Sequence, residues 1–421
     1  MEIPQPGSGI MAKIRVPGSK SITQRALVVA SLAEGKSELK GPLDSEDTRF
    51  LRNALVCLGI SIKDKGTDWT VEGKGGRILP FNQDLYLGNN GTGIRFLTSL
   101  VALGQGTYKL TGTRRMAERP IGPLLDALKA WGVEARSVEK TGCPPVEIKA
   151  HGLEGGETLL SASKSSQYLS SLLLVAPIAK NPSKITLDGP LVSRPYVDLT
   201  LAVMAAYGVK VQEKGDSFFV SHKAYRARKY QIEGDASSAS YFWAAAAVTG
   251  GKVTVKNIPP DALQGDAAFA DLLSSMGCSV KKDPGGVTVQ GPPRGMLKAI
   301  EVDMGRWPDV VPTLAIVAAF ARGTTVIKNV AHLRIKETDR LKAVAQELSK
   351  IGASVKELED GLIIERTRDM HGSLINTYDD HRIAMAFAVA GLKIPGIRIK
   401  NPDCVQKSFP SFWQHWQEIA G

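Results

Sequence analysis

Cysteine is sparse in this chain. Only four occur in 421 residues, and Cys57, Cys143, Cys278 and Cys404 stand far apart with no paired spacing. That excludes a disulfide framework and a cysteine zinc site, and points to reduced cytosolic thiols. Aromatic residues make up 6% of the chain and do not alternate with Lys or Arg as on an RNA-binding strand. No apolar run reaches the length of a bilayer span. Met1 to Met11 lack the charged start and long apolar stretch of a signal peptide, and the Arg/Ser richness of a transit peptide. A cytoplasmic protein is therefore expected. The six histidines are scattered, with no HExxH motif and no Cys/His spacing, so neither a metal nor a cofactor is expected. A nucleophile elbow is also missing.

Positive charge and repetition are what the chain does have. The net charge is +11. The cations form no Lys/Arg tract; many sit singly at helix starts and in two short loops. That distribution suits a pocket for small polyanions better than a groove that follows a phosphate backbone. Small acidic substrates are expected as partners, with no nucleic acid and no membrane.

One pattern returns six times, about 72 residues apart. Each copy opens on a polar or charged cluster, near Ser19, Gly91, Ser165, Ser237, Asp309 and His381. A small-residue apolar helix follows, then a short strand closing at Gly41, Gly112, Gly189, Asn257, Asn329 and Asn401. A second helix ends each copy in Gly before a β-branched or small residue, at Gly59, Gly132, Gly208, Gly277 and Gly352. The chain stops at Gly421, where a sixth would fall. Glycine there suits a left-handed helix end. Each unit reads as strand, helix, strand, helix, strand, strand. A unit with one apolar face must pack its helices against its neighbours.

At this length two cores are expected, and six units divide into two groups of three. The turn Pro17-Gly18 and the turn at Ile232-Glu233-Gly234-Asp235 mark the crossings. The expected domains are 1–18 with 234–421, and 19–233, the N-terminal strand Ala12 to Val16 completing the former. A hinged pair with the active site in the cleft between them follows as an expectation.

Every polar cluster falls at a helix N-terminus, where unpaired N–H groups and the macrodipole attract anions. Pro17-Gly18-Ser19-Lys20-Ser21 leads to Arg25, and reads either as an ordinary Ser cap or as an anion site. Leu87-Gly88-Asn89-Asn90-Gly91-Thr92-Gly93 leads to Arg95. It is a tight turn or a loop whose N–H groups approach an oxyanion, and its spacing is neither Walker nor Rossmann. Arg114, Arg115 and Arg119 share one short loop, and Arg suits bidentate phosphate or carboxylate recognition. Ser165-Ser166-Gln167 opens the third helix as a cap or a hydroxyl-binding group. Arg334-Ile335-Lys336-Glu337-Thr338-Asp339-Arg340 alternates charges before an amphipathic helix, so Glu337 beside Lys336 is a candidate proton carrier. Asp309, after Trp307-Pro308, is expected as an N-cap or a base. His381 and Arg382 begin the sixth helix, and Lys407 lies near the end. Convergence of Lys20, Arg25, Arg119, Lys336, Arg340, Arg382 and Lys407 would bind two anionic groups. The chemistry expected is acid/base catalysis between them.

These motifs, in this order, resemble the 3-phosphoshikimate 1-carboxyvinyltransferase family (5-enolpyruvylshikimate-3-phosphate synthases). The resemblance runs nearly end to end: Pro17 to Ser21, Leu87 to Thr92, Arg115 to Pro120, Ser165 to Gln167, Val192 to Tyr196, Lys336 to Arg340, Asp380 to Arg382 and Lys407 to Pro410. It implies an α/β fold of two similar domains. Each has three βαβαββ units with helices packed together, an inside-out α/β barrel. It implies transfer of the enolpyruvyl group of phosphoenolpyruvate to the 5-hydroxyl of shikimate 3-phosphate, with release of phosphate. That places the chain in chorismate and aromatic amino acid biosynthesis as a monomeric glyphosate target. By resemblance Lys20, Ser21, Arg25, Ser165, Ser166, Gln167, Ser193, Tyr196, Asp309, His332 and Lys336 hold shikimate 3-phosphate. Lys20, Asn89, Gly91, Arg119, Gln167, Arg340, Arg382 and Lys407 hold phosphoenolpyruvate. Asp309 accepts the hydroxyl proton, Glu337 protonates the methylene, and Lys20 assists.

Two positions depart from the family pattern. His332 stands where many relatives carry Asn, and Phe96 replaces a common Pro near the Gly91 loop. Two other readings remain. The sister transferase acting on UDP-N-acetylglucosamine carries Lys-Asn and a loop Cys where this chain has Lys20-Ser21 and Met116-Ala117-Glu118. An RNA-end-processing, nucleic-acid-binding repeat protein predicts salt-dependent polynucleotide binding.

Overall fold

The structure is a computed structural model that describes residues 1–293 and 296–420. Two compact units form: Gly18–Ile232, and Met1–Pro17 with Glu233–Gly421.

In the Gly18–Ile232 unit three sheets share one strand order. The first runs Lys229–Gln231, Glu34–Lys40, Asp68–Lys74, Ser61–Asp64. The second runs Leu85–Tyr86, Gln105–Thr111, Val146–His151, Glu134–Ser137. The third runs Gly156–Leu160, Ser183–Leu187, Ser217–Val220, Gln212–Lys214. The first two strands of each are parallel, and the remaining pairs are antiparallel. A parallel neighbour requires a crossover, and in each repeat a helix supplies one or accompanies the returning strand. Helices Lys20–Leu32, Gly91–Val101 and Gln167–Val175 are buried around nearly their whole circumference and pack on one another. Helices Glu46–Cys57, Gly122–Ala130 and Arg194–Ala206 bury only a stripe. All-round apolar sequence puts a helix at the centre, and amphipathic sequence puts it outside.

The other unit repeats the plan. One sheet runs Met11–Ile14, Lys252–Val255, Gly286–Gln290, Ser279–Asp283. The next runs Glu301–Asp303, Thr324–Lys328, Leu362–Glu365, Ser354–Glu357. Helices Ala236–Thr249, Val311–Phe320 and His381–Gly391 are its buried centre. The sixth copy departs from the expected unit. Among the described residues, Leu374–Ile375 pairs only with Arg398–Ile399, to which Glu2 adds a single bridge. Its second helix, Phe412–Ala420, buries Phe412 and Trp416 against Phe242 and Phe409.

The repeat glycines do what their backbone freedom allows. Gly59, Gly132, Gly208, Gly277 and Gly352 all have φ between 81° and 101°. After each, the next N–H reaches back to a carbonyl five residues earlier, as Ile60 does to Leu55 and Ala353 to Leu348. This closes the helix ends with their last carbonyls satisfied. Gly421 lies outside the described residues.

Two edge strands are exchanged. Met11–Ile14 precedes the first repeat helix in sequence but pairs with Lys252–Val255 of the fourth repeat. Lys229–Gln231 precedes the fourth repeat helix but pairs with Glu34–Lys40 of the first.

Candidate active site

In the Gly18–Ile232 unit, Ser19 caps the first helix by accepting the Ile22 N–H at 3.4 Å. Lys20 Nζ stands 3.1 Å from Asp47 Oδ2. Asp47 lies in the first turn of the Glu46–Cys57 helix, and its carbonyl accepts from Asn90 Nδ2 at 2.7 Å. Asn90 Nδ2 also donates to Gln24, and its Oδ1 caps the Gly91–Val101 helix by accepting the Gly93 N–H at 2.8 Å. This one buried amide therefore joins three helices. Beside it, Arg119 Nη1 donates to the carbonyl and the side-chain oxygen of Asn89, both at 2.9 Å. Gly91 faces the same guanidinium.

Gln167 bridges in the same way. Its Nε2 donates to Thr92 Oγ1 at 3.0 Å, and its Oε1 accepts from Arg95. Ser165 Oγ accepts the Gln167 N–H at 3.2 Å, and Ser165 and Ser166 are buried. Arg25 is 1% exposed and donates to Thr200 Oγ1, the Ser21 carbonyl and the Tyr196 carbonyl. Three of its five N–H donors thus go to the protein. Its guanidinium lies 5.3 Å from the centre of the Phe96 ring. Burial lowers its pKa to about 10, so it remains charged at neutral pH. Ser193 has φ 54° and starts the Arg194–Ala206 helix.

In the other unit a denser cluster surrounds Arg340, which is 1% exposed. Its Nε donates to Asp380 Oδ2 at 2.7 Å, Nη1 to Asp309 Oδ1 at 3.1 Å, and Nη2 to Glu337 Oε2 at 2.9 Å. Arg382 Nη2 reaches the second Asp309 oxygen at 2.7 Å, and its backbone N–H donates to Asp380 Oδ1. Asp309 lies within the 3-10 turn Pro308–Val310, and the helix proper starts at Val311. Of the two expectations for Asp309, N-cap or base, the N-cap is corrected: Pro308 opens a tighter turn that aims the carboxylate at the two arginines. Burial would raise the Asp309 pKa, but Arg382, Arg340 and Lys336 together outweigh it and hold the carboxylate below its ordinary range. Removing one partner of so buried an ion pair costs about 3–5 kcal/mol.

His332 sits on the 3-10 turn Ala331–Ile335, followed by Lys336. Burial first, then the charge of Lys336, push its pKa down to about 3, so it is neutral at pH 7. Lys407 ends the turn Pro402–Lys407 and is buried. Asp266 accepts from Ser237 Oγ. Burial and then Asp309 push its pKa up to about 6, against the pull of Arg382.

Sequence reasoning missed Asp47, Thr200 and Asp266. Their partners lie 27, 175 and 29 residues away, so no local motif carries them. A carboxylate in the first turn of an apolar-faced helix was the available signal for Asp47. Among the described residues, no group of His, Cys, Asp and Glu is arranged to hold a metal. No described helix is long and apolar enough to cross a membrane.

Buried guanidinium, ammonium and carboxylate groups gathered near helix starts, on an α/β repeat fold, suit the binding of small anions, and known relatives place that fold among the enolpyruvyl transferases. The family described as EPSP synthase (3-phosphoshikimate 1-carboxyvinyltransferase) matches residues 4–416. A 3-phosphoshikimate 1-carboxyvinyltransferase of Sulfurovum sp. (strain NBC37-1) is 44% identical over 98% of this chain and 97% of its own. That of Syntrophobacter fumaroxidans is 43% identical over 99% and 98%. A solved EPSP synthase from Acinetobacter baumannii superposes with a TM-score of 0.81 at 28% identity, covering 99% of this chain and 98% of that one. The enolpyruvyl transferase NikO from Streptomyces tendae shares the fold, with a TM-score of 0.78 at 19% identity over 99% and 96%. The chain belongs to the EPSP synthase (3-phosphoshikimate 1-carboxyvinyltransferase) family. Neither the UDP-N-acetylglucosamine reading nor the RNA-end-processing reading is favoured by these matches.

Proposed function

We infer that the chain transfers the enolpyruvyl group of phosphoenolpyruvate to the 5-hydroxyl of shikimate 3-phosphate and releases phosphate. The carrying observation is the Asp309–Arg340–Glu337 cluster, in which one buried guanidinium that also holds Asp380 gathers Asp309 and Glu337 at 3.1 and 2.9 Å. Glu337 gives a proton to the methylene carbon, leaving the adjacent carbon cationic. The 5-hydroxyl attacks that carbon as its proton passes to Asp309. The tetrahedral adduct carries both phosphate and carboxylate, and reversal of the proton transfers expels phosphate.

Lys20, Ser21, Arg25, Ser165, Ser166, Gln167, Ser193, Tyr196, Asp309, His332 and Lys336 hold shikimate 3-phosphate in this mechanism. Lys20, Asn89, Gly91, Arg119, Gln167, Arg340, Arg382 and Lys407 hold phosphoenolpyruvate. Arrival of its anionic groups gives Arg340 and Arg382 a second claimant, which loosens their grip on Asp309 and makes it a better base. Positioning and fixed charge then supply most of the acceleration. The same reading makes the protein a cytoplasmic monomer that does not bind nucleic acid.

A phosphate-release assay tests this. Phosphate is expected only when both substrates are present. Glu337→Gln is expected to slow turnover by about 100-fold or more while shikimate 3-phosphate still binds. Unchanged turnover would remove Glu337 from the chemistry.

A further inference from the structure

The turn before the His381–Gly391 helix is strained. Tyr378 and Asp379 are consecutive, carry side chains, and have φ 54° and 55°. That left-handed geometry persists for such residues only where the surroundings over-determine it. Here they do. The Tyr378 hydroxyl donates to Glu347 Oε1 at 2.8 Å and lies 3.1 Å from Gln346 Oε1. Glu347 is fully buried, and its Oε2 accepts the Asn376 N–H at 3.0 Å and pairs with Lys350 at 2.5 Å. Asn401 Nδ2 holds Asp379 Oδ1 at 2.6 Å. Directly after the turn, Asp380 takes Arg340. Arg340 and Glu347 lie seven residues apart on the Arg340–Lys350 helix, so they share a face. That face grips the turn at both ends.

We propose that Glu347 and the Tyr378 hydroxyl are positioning residues for the transfer reaction. They strap the Tyr378–Asp379 turn in its left-handed form, which sets Asp380 against Arg340 and Arg382 against Asp309. Neither group touches the reacting atoms. The inference rests on the function proposed above, since Arg382 and Asp309 are the groups it serves. A glycine at residue 378 would adopt that residue's backbone without strain, leaving in the left-handed region only Asp379, which Asn401 holds.

That contrast supplies the test. Tyr378→Phe keeps the ring, loses the strap and retains the strain. Its kcat/KM is expected to fall about tenfold, mainly through the KM for phosphoenolpyruvate. Tyr378→Gly loses the strap together with the strain at residue 378, while Asn401 still holds Asp379, and is expected to stay within about threefold of the parent. A role in ring packing alone predicts the reverse order. Hydrogen exchange of the Arg382 amide gives a readout independent of turnover: protection drops in the Phe variant and persists in the Gly variant. If Tyr378→Phe does not fold, Glu347→Gln carries the same expectation of reduced kcat/KM and reduced Arg382 protection. A Phe variant with parental kinetics and protection, or a Gly variant worse than Phe in both, overturns the strap. A parent that releases no phosphate with both substrates overturns the function instead, and the exchange measurement still decides the strap.

Discussion

Gly91 has no side chain, and a Cβ built there would lie 2.3 Å from Arg119 Nη2 and 2.6 Å from Cζ. Arg119 is buried, so a methyl group must push its guanidinium away from Asn89. Gly91→Ala is therefore expected to raise the KM for phosphoenolpyruvate about tenfold or more with little change in melting temperature. An unchanged KM would separate Arg119 from that substrate. His332 and Asp266 act oppositely with pH. The folded His332 pKa is about 3 against an ordinary 6.5, so the unfolded chain gains a proton first and stability falls as pH drops from 6.5 toward 3. The folded Asp266 pKa is about 6 against 3.8. Its buried charge weighs against the fold above that value, and this burden lifts as pH falls from 6 toward 3.8. His332→Asn removes only the first contribution. Its melting temperature should fall less steeply than the parent's between about pH 6.5 and about pH 4.5. Equal slopes in the two proteins would show that His332 carries none of the acid sensitivity.

At the level of the element, the central helices admit no extra volume. Ala315 is fully buried in Val311–Phe320, a helix buried along nearly all its length. Ala315→Leu is expected to cost about 1–3 kcal/mol in urea unfolding, whereas Lys342→Ala on an exposed face should stay within about 0.5 kcal/mol. A neutral Ala315→Leu would mean the helix bundle has slack. Much at this scale was legible beforehand. Runs of small apolar residues after a polar cluster located the central helices, and five glycines located the ends of the outer ones, because both features are short-range. Of the two readings open for Asp309, N-cap or base, the cap does not form because Pro308 opens a 3-10 turn that faces the carboxylate to two arginines. Asp47 and Asp266 were invisible because their partners, Lys20 and Ser237, lie 27 and 29 residues back on the preceding helix of the same repeat and meet them only once the chain has folded, whereas Thr200 meets Arg25 across repeats.

For the whole molecule, the exchanged strands decide what each unit needs. Residues 18–232 contain every strand of their three sheets, and that fragment is expected to fold alone with one cooperative transition by circular dichroism. Deleting Met1–Pro17 from the full chain instead strips an edge strand from the sheet of Lys252–Val255. The expected result is a lower melting transition for the other unit, with the Gly18–Ile232 transition unmoved. A single unchanged melt would show the edge strand to be dispensable. The same exchange imposes an order on biosynthesis. Residue 231 leaves the ribosome before residue 252, so one lobe is finished while Met11–Ile14 still waits for its partner. At typical elongation speeds the wait is roughly 10–50 seconds. Lys13 within that waiting segment and Arg15 directly after it supply positive charge, which discourages it from zipping onto the same segment of a neighbouring nascent chain.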